Sequence, residues 1–356
     1  MKFKILNHFR VLKISCLSMV LVSLFILTVP LPKAFAMPAE QEHTAKLLDG
    51  AKKEGKLVLY STTGTQDTNA LVTRFNKRYP QIKTEVYRSG AEKLLTKIMA
   101  EAAAKRYASD VIIQNGIIAK LLKERGILAP YYSPQREFYQ EDFKDPEGHW
   151  TDIYMLLNVI GYNTKLVSPK ELPRAWADFL DPRWKGKMVM DNKAFEWLAG
   201  IFKIMGEEKG LEFIKKLSYQ NISFRAGRTL NCQMLAAGEG HIGIALYNNQ
   251  LEQMKGQGAP VDWLAIEPVI QGTIRIGLAA NASHPNAGKL FTDFVLSKEG
   301  QEIIASFYRI PSRTDVDAVV PKLKKGLKLL STGFMHADDF SKYMKLYQDI
   351  LMKKRN

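Results

Sequence analysis

Leu57-Val58-Leu59-Tyr60-Ser61-Thr62-Thr63-Gly64 is a short apolar run that stops in three hydroxyl residues and a glycine. Directly after it, Asp67–Arg78 places Leu71, Val72 and Phe75 on one helical face. The same unit then repeats. Lys83–Tyr87 reads as a strand, and Ala91–Ala104 as a helix with Leu94, Leu95, Ile98, Met99 and Ala102 at helical spacing. Asp110–Ile113 is a buried strand ending in Gln114-Asn115-Gly116, and helix Ile117–Arg125 stops at Gly126. Upstream, Ala45–Glu54 has helical character. Strands alternating with helices of this length predict an α/β fold with a mostly parallel sheet covered on both faces.

Beyond this first third, Pro130 to Tyr154 is polar, rich in aromatics and weakly periodic. Leu156–Tyr162 is a strand, and a second αβ series starts after it. Pro182-Arg183-Trp184-Lys185-Gly186 leads into strand Lys187–Met190. Helices are expected at Phe195–Gly206, Gly210–Leu217, Thr229–Ala237 and Asn249–Lys255, and strands at Ile242–Tyr247, Val261–Ile266 and Gly272–Ala280. A single long helix at Pro285–Phe307 and a last one at Phe340–Met352 complete the chain. No Pro- or Ser-rich linker separates the two series. Two such units without a loose linker predict lobes joined by crossing strands, with a hinge and a ligand cleft between them.

Residues 1–36 read as an export signal. Lys2, Lys4, Arg10 and Lys13 precede an apolar run from Ile14 to Leu31, and Ala34-Phe35-Ala36 sets small residues at a cleavage point before Met37. Cleavage after Ala36 predicts a periplasmic protein of 320 residues. No later apolar run is long enough to span a bilayer. Five of the net fifteen positive charges fall in the signal, and the rest are spread along the chain, so a solvated basic face is expected and no nucleic-acid partner. Removing Cys16 with the signal leaves Cys232 without a disulfide partner, which reads as a small apolar core residue.

Enzyme signatures are missing from the sequence. Gly50–Lys56 has the glycine spacing of a phosphate loop, but Leu57 stands where a Ser or Thr is needed and the segment precedes a strand. There is no G-x-S-x-G, H-E-x-x-H or C-x-x-C, and His43, His149, His241, His284 and His336 are scattered. Asp67, Asp110 and Asp191 carry carboxylates, but nothing in the sequence brings them together. No catalytic residue, metal site or cofactor is expected.

Several segments, in order, carry a family resemblance: "LVLYSTTG", "SDVIIQN", "IGYNTKLV", "DPRWKGKMVMDN", "LAAGEGHIGIALYNN" and, most specific, "NASHPNAGKLFTDFVLSKEGQEI". From about Lys56 to Asp315 the chain resembles periplasmic solute-binding proteins of ABC importers, in their ferric-iron and small-solute branch. The resemblance implies the type 2 periplasmic-binding fold. It assigns 37–155 and 270–320 to one lobe, and 156–269 and 321–356 to the other. It also implies an inner-membrane permease as partner, a monomer, and ligand capture by lobe closure without chemistry. A ligand-sensing partner of a membrane receptor would share this fold and site, as would an exported enzyme on the same scaffold.

Within the resemblance, loops after strands hold the ligand. Ser61, Thr62 and Thr63, then Arg88 and Ser89, then Arg228 stand just before helices, where hydroxyls, guanidinium groups and free backbone amides attract an anion. The same Ser, Thr and Gly residues are also good helix caps. Asn115, Trp150, Tyr154, Tyr247 and Asn248 are further cleft candidates. Ferric relatives place a His in the first loop, a Glu after the third strand and a tyrosine pair after the second-lobe strand. Here those places hold Gly64, Asn115 and Tyr247-Asn248. One tyrosine and no carboxylate favour an organic anion, phosphorylated or phosphonate, over iron.

Overall fold

Phe75, fully buried, is packed by Tyr79, Phe291 and Phe294 with ring centroids 5.0 to 5.7 Å away, and its burial stabilises the fold by roughly 2–3 kcal/mol. It belongs to the first of two αβ wings. The computed structural model describes residues 39–334 and 337–353, so the expected signal and its cleavage point lie outside them. In chain order the first wing comprises α1 (Ala39–Glu54), β1 (Lys56–Ser61), α2 (Thr65–Arg78), β2 (Lys83–Arg88), α3 (Ala91–Ala103), β3 (Val111–Asn115), α4 (Gly116–Glu124) and β4 (Leu128–Ala129). β5 (Thr151–Asn163) leads to the second wing: β6 (Met188–Asp191), α5 (Phe195–Met205), α6 (Glu207–Leu217), β7 (Ser223–Arg225), α7 (Arg228–Ala237), β8 (Ile242–Tyr247), α8 (Asn248–Gly256) and β9 (Val261–Leu264). β10 (Val269–Ala279) returns to α9 (Pro285–Leu296), α10 (Lys298–Ser306) and β11 (Ile310–Pro311). β12 (Leu329–Ser331) and α11 (Ala337–Leu346), with a π-helical turn at Tyr347–Met352, close the chain.

The strands form one mixed sheet in the order β2-β1-β3-β10-β5-β8-β6-β7. Its two outer triplets, β2-β1-β3 and β8-β6-β7, are parallel, as strand–helix alternation predicts. Between them β10 and β5 run antiparallel to each other and to their outer neighbours. Both are longer than the sequence pattern indicated. All thirteen residues of β5 are buried, Thr151 and Asp152 included, so its polar start gives no strand signal. Each wing has its own apolar core: Leu57, Phe75 and Phe291 in one, Phe179, Trp197 and Leu217 in the other. The helix expected over Pro285–Phe307 is two helices. The chain turns at Ser297, whose side chain caps α10 at Gly300 N, 3.2 Å away.

Asp152 and Arg275 pair at 2.7 Å across the two crossing strands, next to a register shift after Ile274. Burial pushes the Asp152 carboxyl up to about 6 despite Arg275 beside it. The folded state thus binds this proton more tightly than the unfolded chain, whose Asp titrates near 4. This group therefore favours folding below pH ~4, and that advantage is lost as pH rises through about 6. Urea unfolding of wild type and Asp152→Asn between pH 4 and 7 checks this. The wild-type stability should fall relative to the variant between pH 4 and 6; parallel curves would remove the argument.

Candidate functional site

Both wings contribute to a cavity of about 950 Å³, reached by Thr62, Arg88 and Asn115 from one side and Asp191, Arg228 and Tyr247 from the other. The three loops expected from sequence are set around it as follows. Thr62 lines the wall and donates its hydroxyl to Ile113 O at 3.3 Å. Ser61 and Thr63 are buried beneath it: Ser61 Oγ accepts from Thr63 N at 3.1 Å, and Thr63 O accepts from Arg88 Nε at 3.1 Å. Ser89 ties the loop to β1 through its amide, which donates to Ser61 O at 3.2 Å. Ser61, Thr63 and Ser89 thus shape the loop, while Thr62 and Arg88 face the space.

Asn115 lines the cavity and caps α4, its Oδ1 accepting from Ile118 N at 2.9 Å. Tyr154, Arg228 and Tyr247 also line it. Two sequence candidates are engaged elsewhere. Trp150 is packed under Arg275, 4.5 Å from its ring, and Lys123, 5.2 Å away. Asn248 is fully buried, donating to Leu323 O and accepting from Asn249 N, both at 2.9 Å. The polar groups of a first helical turn therefore differ in use along one loop: Asn248 locks the backbone, and its neighbours Asn249 and Gln250 line the cavity.

Six helices begin at this cavity, and α4 alone has a side-chain cap, from Asn115. α2, α3, α5, α7 and α8 have Gly64, Gly90, Ala194, Gly227 and Tyr247 as N-caps, and none makes a side-chain cap. Residues of each first turn line the space. At these five starts no N-cap side chain occupies the terminal amides. Elsewhere such amides are taken by side chains: Glu54 takes those of Asn286 and Ala287 at the start of α9. Helix N-termini without N-cap side chains, and their dipoles pointing at one space, make it positive and donor-rich.

The charged residues of the lining are mostly paired. Arg309 reaches Asp67 at 2.7 Å and lies 5.0 Å from the centre of the Tyr154 ring. An Asn249 amide turned so that its oxygen faces Arg309 accepts from Nη1 at 2.8 Å. Arg228 stacks on Tyr247 at 4.2 Å, donates Nε to Ala245 O at 3.1 Å and lies 3.7 Å from Asp191. Lys193 pairs with Glu92 across the rim, from the segment before α5 to the first turn of α3. Burial raises the Glu196 carboxyl and the Tyr154 and Tyr247 phenols above their ordinary ranges, although Arg228 and Arg309 oppose the rise.

The structure corrects the donor count made from sequence. The cavity holds two tyrosines, Tyr154 and Tyr247, and four carboxylates, those of Asp67, Glu92, Asp191 and Glu196. Sequence reading had both tyrosines among its cleft candidates but did not join the carboxylates, because Asp67 and Asp191 come from different wings. Arg309 and Glu196 have no local signal: Arg309 lies in the short connection between α10 and β11, and Glu196 in the first turn of the apolar helix α5. Among the described residues, no three His, Cys, Asp or Glu side chains form a cluster able to hold a metal ion.

Cys232 is buried as expected, but against the cavity wall, 3.7 Å from Gln250 Oε1. Burial pushes its thiol up to about 12, so little thiolate exists at neutral pH. Iodoacetamide at pH 8 should leave the native protein unmodified and label it after unfolding; rapid native labelling would refute the inert reading. Cys232→Ser should preserve ligand binding.

The chain matches the family model of bacterial extracellular solute-binding proteins over residues 108–338. An uncharacterized protein of Haemophilus influenzae is 28% identical over 268 residues, 71% of this chain and 76% of that one. The periplasmic binding protein AfuA of Actinobacillus pleuropneumoniae, solved with fructose-6-phosphate, superposes with a TM-score of 0.75 at 25% identity, covering 84% of this chain and 99% of that one. Iron-bound HitA of Pseudomonas aeruginosa gives 0.73 at 20% identity, covering 83% and 99%. With a mixed sheet of this order and a cavity built from strand-to-helix corners, the chain belongs to the bacterial extracellular solute-binding proteins, the ligand-capturing components of ABC importers, on the type 2 periplasmic-binding fold.

Proposed function

We propose that this protein captures a small organic anion, a phosphate ester or phosphonate, and delivers it to the permease of an ABC importer. One observation carries the reading: five helix N-termini with no bond from the N-cap side chain converge on one cavity that also holds Arg88, a guanidinium without an ion pair among the described residues. The fructose-6-phosphate named for AfuA belongs to this chemical class. Residues 37–155 with 270–320 form one lobe and 156–269 with 321–356 the other. The signal is cleaved after Ala36, and the processed protein works as a monomer. An anion touching both lobes favours the closed state by the contacts it gains there. Thr62, Arg88, Asn115, Arg228 and Tyr247 make those contacts; Ser61, Thr63 and Ser89 hold the first loops in shape.

A second reading rests on Tyr154 and Tyr247, which share the cavity and are oxygen donors that ferric iron takes. Against it, both phenols are held protonated by burial and each has an arginine against its ring. Native mass spectrometry of the purified protein separates the readings. A co-purified organic phosphate or phosphonate, with thermal stabilisation on adding it back, supports the first. Bound iron with a visible phenolate charge-transfer band, and no response to organic phosphates, overturns it in favour of the second.

A further inference from the structure

Five cationic and four anionic side chains line the cavity, and their pairing is uneven. Asp67 pairs with Arg309, Asp191 lies by Arg228, and Glu92 pairs with Lys193. Arg88 and Lys93 remain without an ion pair among the described residues, and so does Glu196. Glu196 stands in the first turn of α5. No hydrogen bond reaches its carboxylate among the described residues, and Arg228 and Arg275 act on it only beyond ion-pair distance. It is seated over Gly272 of β10: a Cβ at that position would come 2.8 Å from Glu196 Oε2. Glu196 is half-buried and faces the cavity, where water can reach its oxygens; a ligand that displaces that water leaves a costly unpaired carboxylate unless it donates to it.

Resting on the anion reading above, we propose that Glu196 sets the specificity: the ligand is an anion that also carries N–H or O–H donors, and Glu196 receives them while the anionic group sits toward Arg88. A bare anion leaves Glu196 unpaired and meets its repulsion, so sulfate, which carries no proton at neutral pH, is rejected. The donor comes from an ammonium group or from hydroxyls, and the two are told apart by the probes.

The experiment is calorimetric binding of two matched pairs, 3-aminopropylphosphonate against propylphosphonate, and glycerol 3-phosphate against propyl phosphate, with sulfate as the bare anion. In at least one pair the donor-bearing member should bind on the order of 10- to 100-fold tighter. Glu196→Gln should shrink that ratio at least several-fold and raise the affinity for sulfate. Gly272→Ala, which displaces the carboxylate and keeps its charge, should shrink the ratio as well. Discrimination in the first pair alone identifies an ammonium, in the second alone hydroxyls. Equal affinities within both pairs, or a ratio unchanged in Glu196→Gln, overturn the role of Glu196 and leave the anion reading standing. No binding of any of these anions by folded wild-type protein overturns the anion reading itself.

Discussion

Arg228→Ala should lower the affinity for an organic phosphate or phosphonate by roughly 100-fold or more, as read by titration calorimetry. Arg228 is held on three sides, by Ala245 O, the Tyr247 ring and Asp191. Its side chain is ordered before any guest arrives, so little entropy is lost on binding. Its removal also leaves Asp191 and Glu196 facing an anion with less compensation. Arg88→Ala should cost less, because Arg88 is exposed and held by one hydrogen bond to Thr63 O. The separate cores of the two wings predict that apo Arg228→Ala still unfolds cooperatively. A variant that folds and binds with wild-type affinity would move the anionic contact away from α7.

The largest effect on stability should come from Gly300→Ala, about 3 kcal/mol by urea unfolding. Gly300 lies at the corner between α9 and α10, where a Cβ would sit 2.2 Å from Phe294 O and 2.6 Å from Val295 O. Both neighbours are backbone atoms, so no rotamer change relieves the clash. The corner is otherwise fixed: Gln301 N donates to Ser297 O at 3.0 Å and Gln301 Nε2 to Val295 O at 3.1 Å. One helix would have to move, and with it Phe294, Val295 and Ile304 in the core. A loss below about 0.5 kcal/mol would mean the corner yields far more easily than its packing indicates.

The parallel wings were legible because their signals are local: β1, β3 and β8 are apolar runs ending at turn residues, each followed by a helix of ordinary spacing. The antiparallel pairing of β10 with β5 was not, since no residue pattern records which distant strand lies beside another. Ser297 and Gly300 did contain the stop that divides α9 from α10, but the apolar periodicity runs through it. At the cavity, the strand-to-helix loops showed where Thr62, Arg88 and Arg228 would be. Arg309 lies 242 residues from the Asp67 it pairs with, and only tertiary structure joins them. Tyr247 depends on another unreadable device. β8 carries one more residue than β5 opposite Ile160, and Ala245 there takes a φ of 56°. That left-handed alanine costs about 1–3 kcal/mol and sits where its carbonyl receives Arg228.

The bridge between Glu92 and Lys193 spans the rim with both side chains wet, at 38% and 51% exposure. An ion pair so exposed is worth less than about 1 kcal/mol and fades as ionic strength rises. It is a clasp too weak to imprison cargo. Residence time is therefore governed by the interior grip, and concentrated salt should loosen the rim while leaving selectivity among guests intact.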